Sequence, residues 1–147
     1  MKSKGPQVSN NKDNNSNAKI LVVDDDFDIS TLIKMVLQKQ GYDVSGFTDP
    51  LLALEHFRIN YETCSLVISD LRMPYMNGFE FLKNIRRIKP TVNVVLMSAF
   101  NIEEDLEYSM HSTRPDNINS FIQKPVSMRS LVKTVKSCIN KKLNSST

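Results

Sequence analysis

The sequence predicts an α/β fold in which a five-stranded parallel sheet carries helices on both faces, and three observations lead there. Short apolar runs rich in Val and Ile alternate with longer stretches of helical periodicity, the pattern of strands covered on both sides. Four of those runs end on chemically useful side chains: Ile20-Leu21-Val22-Val23 on Asp24-Asp25-Asp26, Leu66-Val67-Ile68-Ser69 on Asp70, Val94-Val95-Leu96-Met97 on Ser98, and Phe121-Ile122-Gln123 on Lys124. The 147 residues hold five strand–helix units as one domain and a tail, since a domain takes roughly 100 to 150 residues. In a parallel sheet those run ends share one edge, where open α/β sheets bind ligands.

The first strand leads into a helix whose inner face is read as Ile29, Leu32, Ile33, Val36 and Leu37, with Asp26 or Asp28 as N-cap and Gly41 as its stop. A second strand is expected over 42–47, then a helix opening at Pro50, a favoured first-turn residue, with Leu51, Leu54 and Phe57 inward. The third strand, 66–69, runs into a loop from Asp70 to Gly78 whose Pro74 and Asn77-Gly78 are turn signals. The next helix puts Phe81, Leu82, Ile85 and Ile88 on one side and ends at Pro90. A fourth strand over 92–97, a weaker helix over about 102–111 and a fifth strand over 119–123 follow. The last helix has the cleanest stripe: Leu131, Val132, Val135, Cys138, Ile139 and Leu143.

Residues 1–18 are polar, rich in Asn, Ser and Lys, and cannot bury enough surface to order themselves, so they read as a flexible arm before a domain at 19–143 and a flexible end at 144–147. Neither a signal-peptide core nor a membrane-length apolar run is present, which places the chain in the cytoplasm. Cys64 and Cys138 fit that compartment as free buried thiols. The net charge of +3 divides unevenly: residues 1–19 carry four positive and one negative charge, 20–124 ten and fifteen, and 125–147 five and none. The terminal positives Arg129, Lys133, Lys136, Lys141 and Lys142 form a solvated helix face or a partner-docking one. No helix-turn-helix, zinc-finger spacing or interleaved aromatic stripe points to nucleic acid.

Carboxylates gathered at one edge repel one another unless a cation compensates them. Asp25 and Asp70 supply hard oxygen ligands and Asp24 can hold a metal-bound water, a shell suited to Mg²⁺, with Mn²⁺ as a substitute. Lys124 and Ser98 exceed what a metal site needs: an ammonium and a hydroxyl can grip a phosphoryl group being transferred to Asp70, which then acts as a nucleophile.

With these residues in view, the chain resembles the receiver domain of two-component response regulators over roughly Lys19 to Leu143. The resemblance rests on the acids after the first strand, Asp70-x-x-Met73-Pro74 followed by Asn77-Gly78, Ser98-Ala99, and Lys124-Pro125. It implies a flavodoxin-like, doubly wound (βα)5 fold with strand order 2-1-3-4-5. It also implies that Asp70 is the phosphoacceptor, Asp24 and Asp25 the acidic metal pair, Ser98 the switch hydroxyl, Lys124 the phosphoryl-sensing lysine and Phe121 the switch aromatic. The backbone carbonyl of Arg72 takes the remaining protein metal-ligand position, and a cis Lys124–Pro125 bond is implied too. A receiver takes its phosphoryl group from a sensor histidine kinase by self-catalysed transfer, usually removes it by autodephosphorylation, and alters its affinity for a downstream protein at the surface of the fourth helix, fifth strand and fifth helix. It is a monomer or a phosphorylation-dependent dimer.

The spacing between Ser98 and Lys124 exceeds the common receiver pattern, with His111-Ser112-Thr113-Arg114-Pro115-Asp116 after the fourth helix. Phe121 stands where many receivers have Tyr, and the bulky Arg72 and Phe100 sit at positions that tune phosphoryl lifetime in the family. Asp24-x-Asp26 also resembles the opening of haloacid-dehalogenase-type phosphatases, but Asp28 follows where Thr or Val is needed. A calcium loop fails at Ile29 and Met35, where Gly and Glu are required. A phosphorylation-independent binding module, a phosphorelay intermediate and a fragment of a larger protein stay open beside a complete stand-alone regulator, which the start at Met1 favours.

Overall fold

The computed structural model describes residues 18–100 and 118–145. Five parallel strands, β1 (Lys19–Val23), β2 (Asp43–Phe47), β3 (Cys64–Asp70), β4 (Asn93–Ser98) and β5 (Ser120–Gln123), form one sheet in the order β2-β1-β3-β4-β5, as the sequence predicts. Between them run α1 (Phe27–Lys39), α2 (Pro50–Asn60), a 3-10 turn (Tyr61–Thr63) and α3 (Gly78–Ile88), and a C-terminal helix (Met128–Ser145) closes the fold. That helix continues two residues past the Leu143 boundary. The expected helix at 102–111, the segment 111–116 and all of the N-terminal arm except Ala18 lie outside the described residues.

Strand pleating sends alternate residues into two cores. Leu21, Val23, Val67, Val94 and Leu96 pack with Ala53, Leu54 and Phe57 of α2 and Phe81, Leu82 and Ile85 of α3. Ile20, Val22, Leu66, Ile68, Val95 and Met97 pack with Ile33 and Leu37 of α1 and Leu131, Val135, Cys138 and Ile139 of the C-terminal helix. Both cysteines are buried thiols, neither in a disulfide.

Two residues read as inward are not. Leu32 is 46% and Leu51 50% exposed. On α2 the inward stripe is Pro50, Ala53, Leu54 and Phe57, an i, i+3, i+4, i+7 set that leaves Leu51 about 100° away around the axis. On α1, Ile33 and Leu37 take the core position and Leu32 falls one residue off that line.

The helix starts are built from local chemistry. Asp26 caps α1 by accepting from the Asp28 and Ile29 N–H groups, and Asp49 caps α2 by accepting from Leu51 N–H. Asn77 and Glu80 form a reciprocal capping box at α3. Asn77-Gly78, read as a turn, is therefore the first step of a helix. Gly41, at φ 98°, supplies the left-handed turn after α1.

Candidate functional site

Parallel strands carry their last residues to one edge, and the ladder there continues beyond the strands. Asp24 N–H donates to the Phe47 carbonyl at 3.0 Å, Leu71 N–H to Met97 at 2.9 Å and Lys124 N–H to Ser98 at 2.6 Å. Main-chain bonds thus fix Asp24, Asp70, Ser98 and Lys124 side by side before any side chain interacts.

Asp24 is fully buried and Asp70 nearly so. The Lys124 ammonium reaches over both, with Nζ 2.8 Å from Asp24 Oδ2 and 3.2 Å from Asp70 Oδ1. Asp25 is exposed, yet a carboxylate oxygen from each of Asp24, Asp25 and Asp70 lies within 4.8 Å of the others. Asp24 Oδ1 accepts from Asp26 N–H at 2.9 Å, so the segment that caps α1 also orients the acid. Asp24 Oδ2 is buried and accepts no well-directed hydrogen bond, leaving the nearby ammonium to compensate its charge.

The electrostatics follow from this crowding. Burial, and then the charge of Asp24, push the Asp70 carboxyl up to about 7, against the opposing pull of Lys124. Burial works against the Lys124 charge, but the two carboxylates outweigh it and raise its pKa. Three acids facing one ammonium make a site short of positive charge. Its ligand atoms are hard carboxylate oxygens, three acids to a single ammonium, so the residues present fit a hard divalent cation.

Ser98 is buried at the end of β4, and its Oγ accepts from Phe100 N–H at 3.0 Å. Phe121 is half-buried on β5 and packs toward the α2–α3 core, one residue from Ile122 on the opposite face. Arg72 follows Asp70 in the β3–α3 loop, with its guanidinium carbon 3.7 Å from the centroid of the Phe100 ring. The Lys124–Pro125 bond is cis. Asp24, Asp25, Asp70, Arg72, Ser98 and Lys124 lie at this one edge of the sheet, whereas Phe121 sits back within β5 opposite Leu96.

One residue was missed. A Cβ on Gly78 would meet the Asp70 carbonyl oxygen at 2.7 Å and Leu71 Cα at 2.9 Å, while Gly78 N–H donates to the Leu71 carbonyl at 2.7 Å. The absent side chain lets the start of α3 lie against the end of β3. The spacing Asn77-x-x-Glu80, a capping box, was the signal that could have marked a helix start there.

The family model described as response regulator receiver domain matches residues 20–136. Sporulation initiation phosphotransferase F of Bacillus subtilis is 32% identical, the alignment covering 78% of this chain and 98% of that protein. The alkaline phosphatase synthesis transcriptional regulatory protein SphR of Synechococcus elongatus is 30% identical over 86% of this chain, but the chain spans only 51% of that relative's length. A response regulator receiver domain protein from Clostridium thermocellum superimposes with a TM-score of 0.74 at 28% identity, covering 85% of this chain and 96% of that one.

Proposed function

The chain belongs to the response regulator receiver domains, and from that premise we propose that Asp70 accepts a phosphoryl group from the phosphohistidine of a sensor histidine kinase. The observation that carries this is the meeting of Asp24, Asp25 and Asp70 within 4.8 Å with Lys124 Nζ 2.8 Å and 3.2 Å from two of them. An Asp70 carboxylate oxygen forms the new bond to phosphorus as the P–N bond of the donor imidazole breaks, and the imidazole nitrogen leaves with that electron pair. Lys124, already paired with Asp70, exchanges that carboxylate for a phosphoryl oxygen. Ser98 Oγ accepts from Phe100 N–H and keeps its own hydrogen free to donate to another.

Asp25, Asp70 and the Arg72 carbonyl would hold Mg²⁺ (or Mn²⁺) directly and Asp24 through water. When bound, the cation offsets the charge on the transferring oxygens. Recruitment of Ser98 leaves space for Phe121 to turn, and the surface around β5 and the C-terminal helix changes its affinity for a downstream protein. The reading places the protein in the cytoplasm and does not include binding to nucleic acid; no helix among the described residues is long and apolar enough to cross a membrane.

Intact mass after incubation with Mg²⁺ and acetyl phosphate tests this. A gain of about 80 Da, the mass of one phosphoryl group, is expected in the parent and not in Asp70→Asn. No gain, together with failure to bind beryllofluoride, would leave a phosphorylation-independent binding module. A second reading, a phosphorelay intermediate, is favoured by the similarity to sporulation initiation phosphotransferase F along 98% of that protein. It predicts that the phosphorylated chain passes its label to a histidine of a second protein.

A further inference from the structure

Arg72 follows Asp70 by two residues at the end of β3, and Phe100 follows Ser98 by two at the end of β4. The strands are neighbours, with Asp70 opposite Met97, and their last main-chain bond is Leu71 N–H to the Met97 carbonyl. Beyond that bond, the Arg72 guanidinium carbon lies 3.7 Å from the Phe100 ring centroid, within the range of a cation–π contact. Phe100 N–H in turn donates to Ser98 Oγ at 3.0 Å. A side-chain clasp therefore joins the loop after the acceptor acid to the loop after the hydroxyl.

We propose that Phe100, acting through the Arg72 guanidinium, is a positioning residue for the divalent cation. The proposal rests on the reading of this edge as a Mg²⁺ site with the Arg72 carbonyl as a ligand. A carbonyl ligand has no rotamer of its own, so its position depends on how its main chain is held. At Arg72 the sheet ladder has ended, and the stack on Phe100 supplies an anchor through the residue's own side chain. It also seats the guanidinium charge on an aromatic face. The same ring belongs to the residue whose N–H holds Ser98 Oγ, so cation binding and the hydroxyl's orientation draw on one clasp.

Calorimetric titration of the full chain with Mg²⁺ at fixed ionic strength tests this, using Phe100→Leu, Phe100→Trp and Asp25→Asn beside the parent. Phe100→Leu keeps the apolar bulk and the Arg72 charge but removes the π face. It should weaken Mg²⁺ affinity about threefold, the size of a partly exposed cation–π contact, and Phe100→Trp should restore it. Parent-like affinity in Phe100→Leu overturns the proposal, and so does equal weakening in the Leu and Trp variants, which assigns the loss to packing. Loss of binding in Asp25→Asn with parent-like affinity in Phe100→Leu removes the positioning role alone. Parent-like affinity in Asp25→Asn removes the cation-site reading and the proposal together.

Discussion

Burial and Asp24 disfavour the charge of Asp70 while Lys124 favours it, and its protonation reports the balance. Its carboxyl, pushed up to about 7, holds a proton in the folded chain at pH values where the unfolded chain, titrating near 4, has lost it. Stability contributed by this group is therefore greatest at low pH and falls as pH rises from about 4 to about 7. In metal-free protein, Asp70→Asn should be more stable than the parent by about 2 kcal/mol at pH 8, a figure halved for solvent screening, with the gain vanishing toward pH 4. Urea unfolding in EDTA at several pH values measures it, and a pH-independent difference contradicts it. The acids, Ser98 and Lys124 were legible in the sequence because each closes an apolar run and strand ends converge. The Arg72–Phe100 contact was not, since both residues lie past the regular pairing and sequence periodicity carries no loop geometry.

At the scale of elements, α3 is the one whose start decides the site. Its capping box anchors Asn77 and Glu80, and Gly78 meets the backbone of Asp70 and Leu71. These features separate by mutation. Asn77→Ala should cost about 1 kcal/mol through loss of a cap and leave Mg²⁺ affinity near that of the parent. Gly78→Ala forces backbone apart and should cost about 1 to 3 kcal/mol, with weaker Mg²⁺ binding as Asp70 shifts. Equal Mg²⁺ affinities in the two variants would show that the close approach matters only for stability. The strands and the helices between them among the described residues were readable from alternating periodicity and the strand order from the family resemblance, whereas Leu32 and Leu51 were misread because an apolar residue adjacent to a helix stripe looks like part of it. Burial of the smaller Ala53 and of Pro50 fixed the true face of α2.

For the molecule as a whole, a cation bound only by the folded chain adds stability by mass action. At a hundred times its dissociation constant, Mg²⁺ should stabilise by about 2.7 kcal/mol and raise the unfolding midpoint by roughly 10 °C. Thermal scans with Mg²⁺ and with EDTA check this, and Asp25→Asn should lose most of the shift. The five-stranded sheet was legible because each strand is a short apolar run, whereas a cation leaves no residue of its own in a sequence. The pleat of β5 has a consequence for signalling. Phe121 faces the core shared with α2 and α3, while Ile122 faces the core shared with α1 and the C-terminal helix. In the proposed switch, a turn of this ring therefore starts on the α2–α3 side of the sheet and reaches the C-terminal helix only through β5 itself. Parity along a four-residue strand sets that side, and inserting a single residue before Phe121 would move the ring to the opposite face.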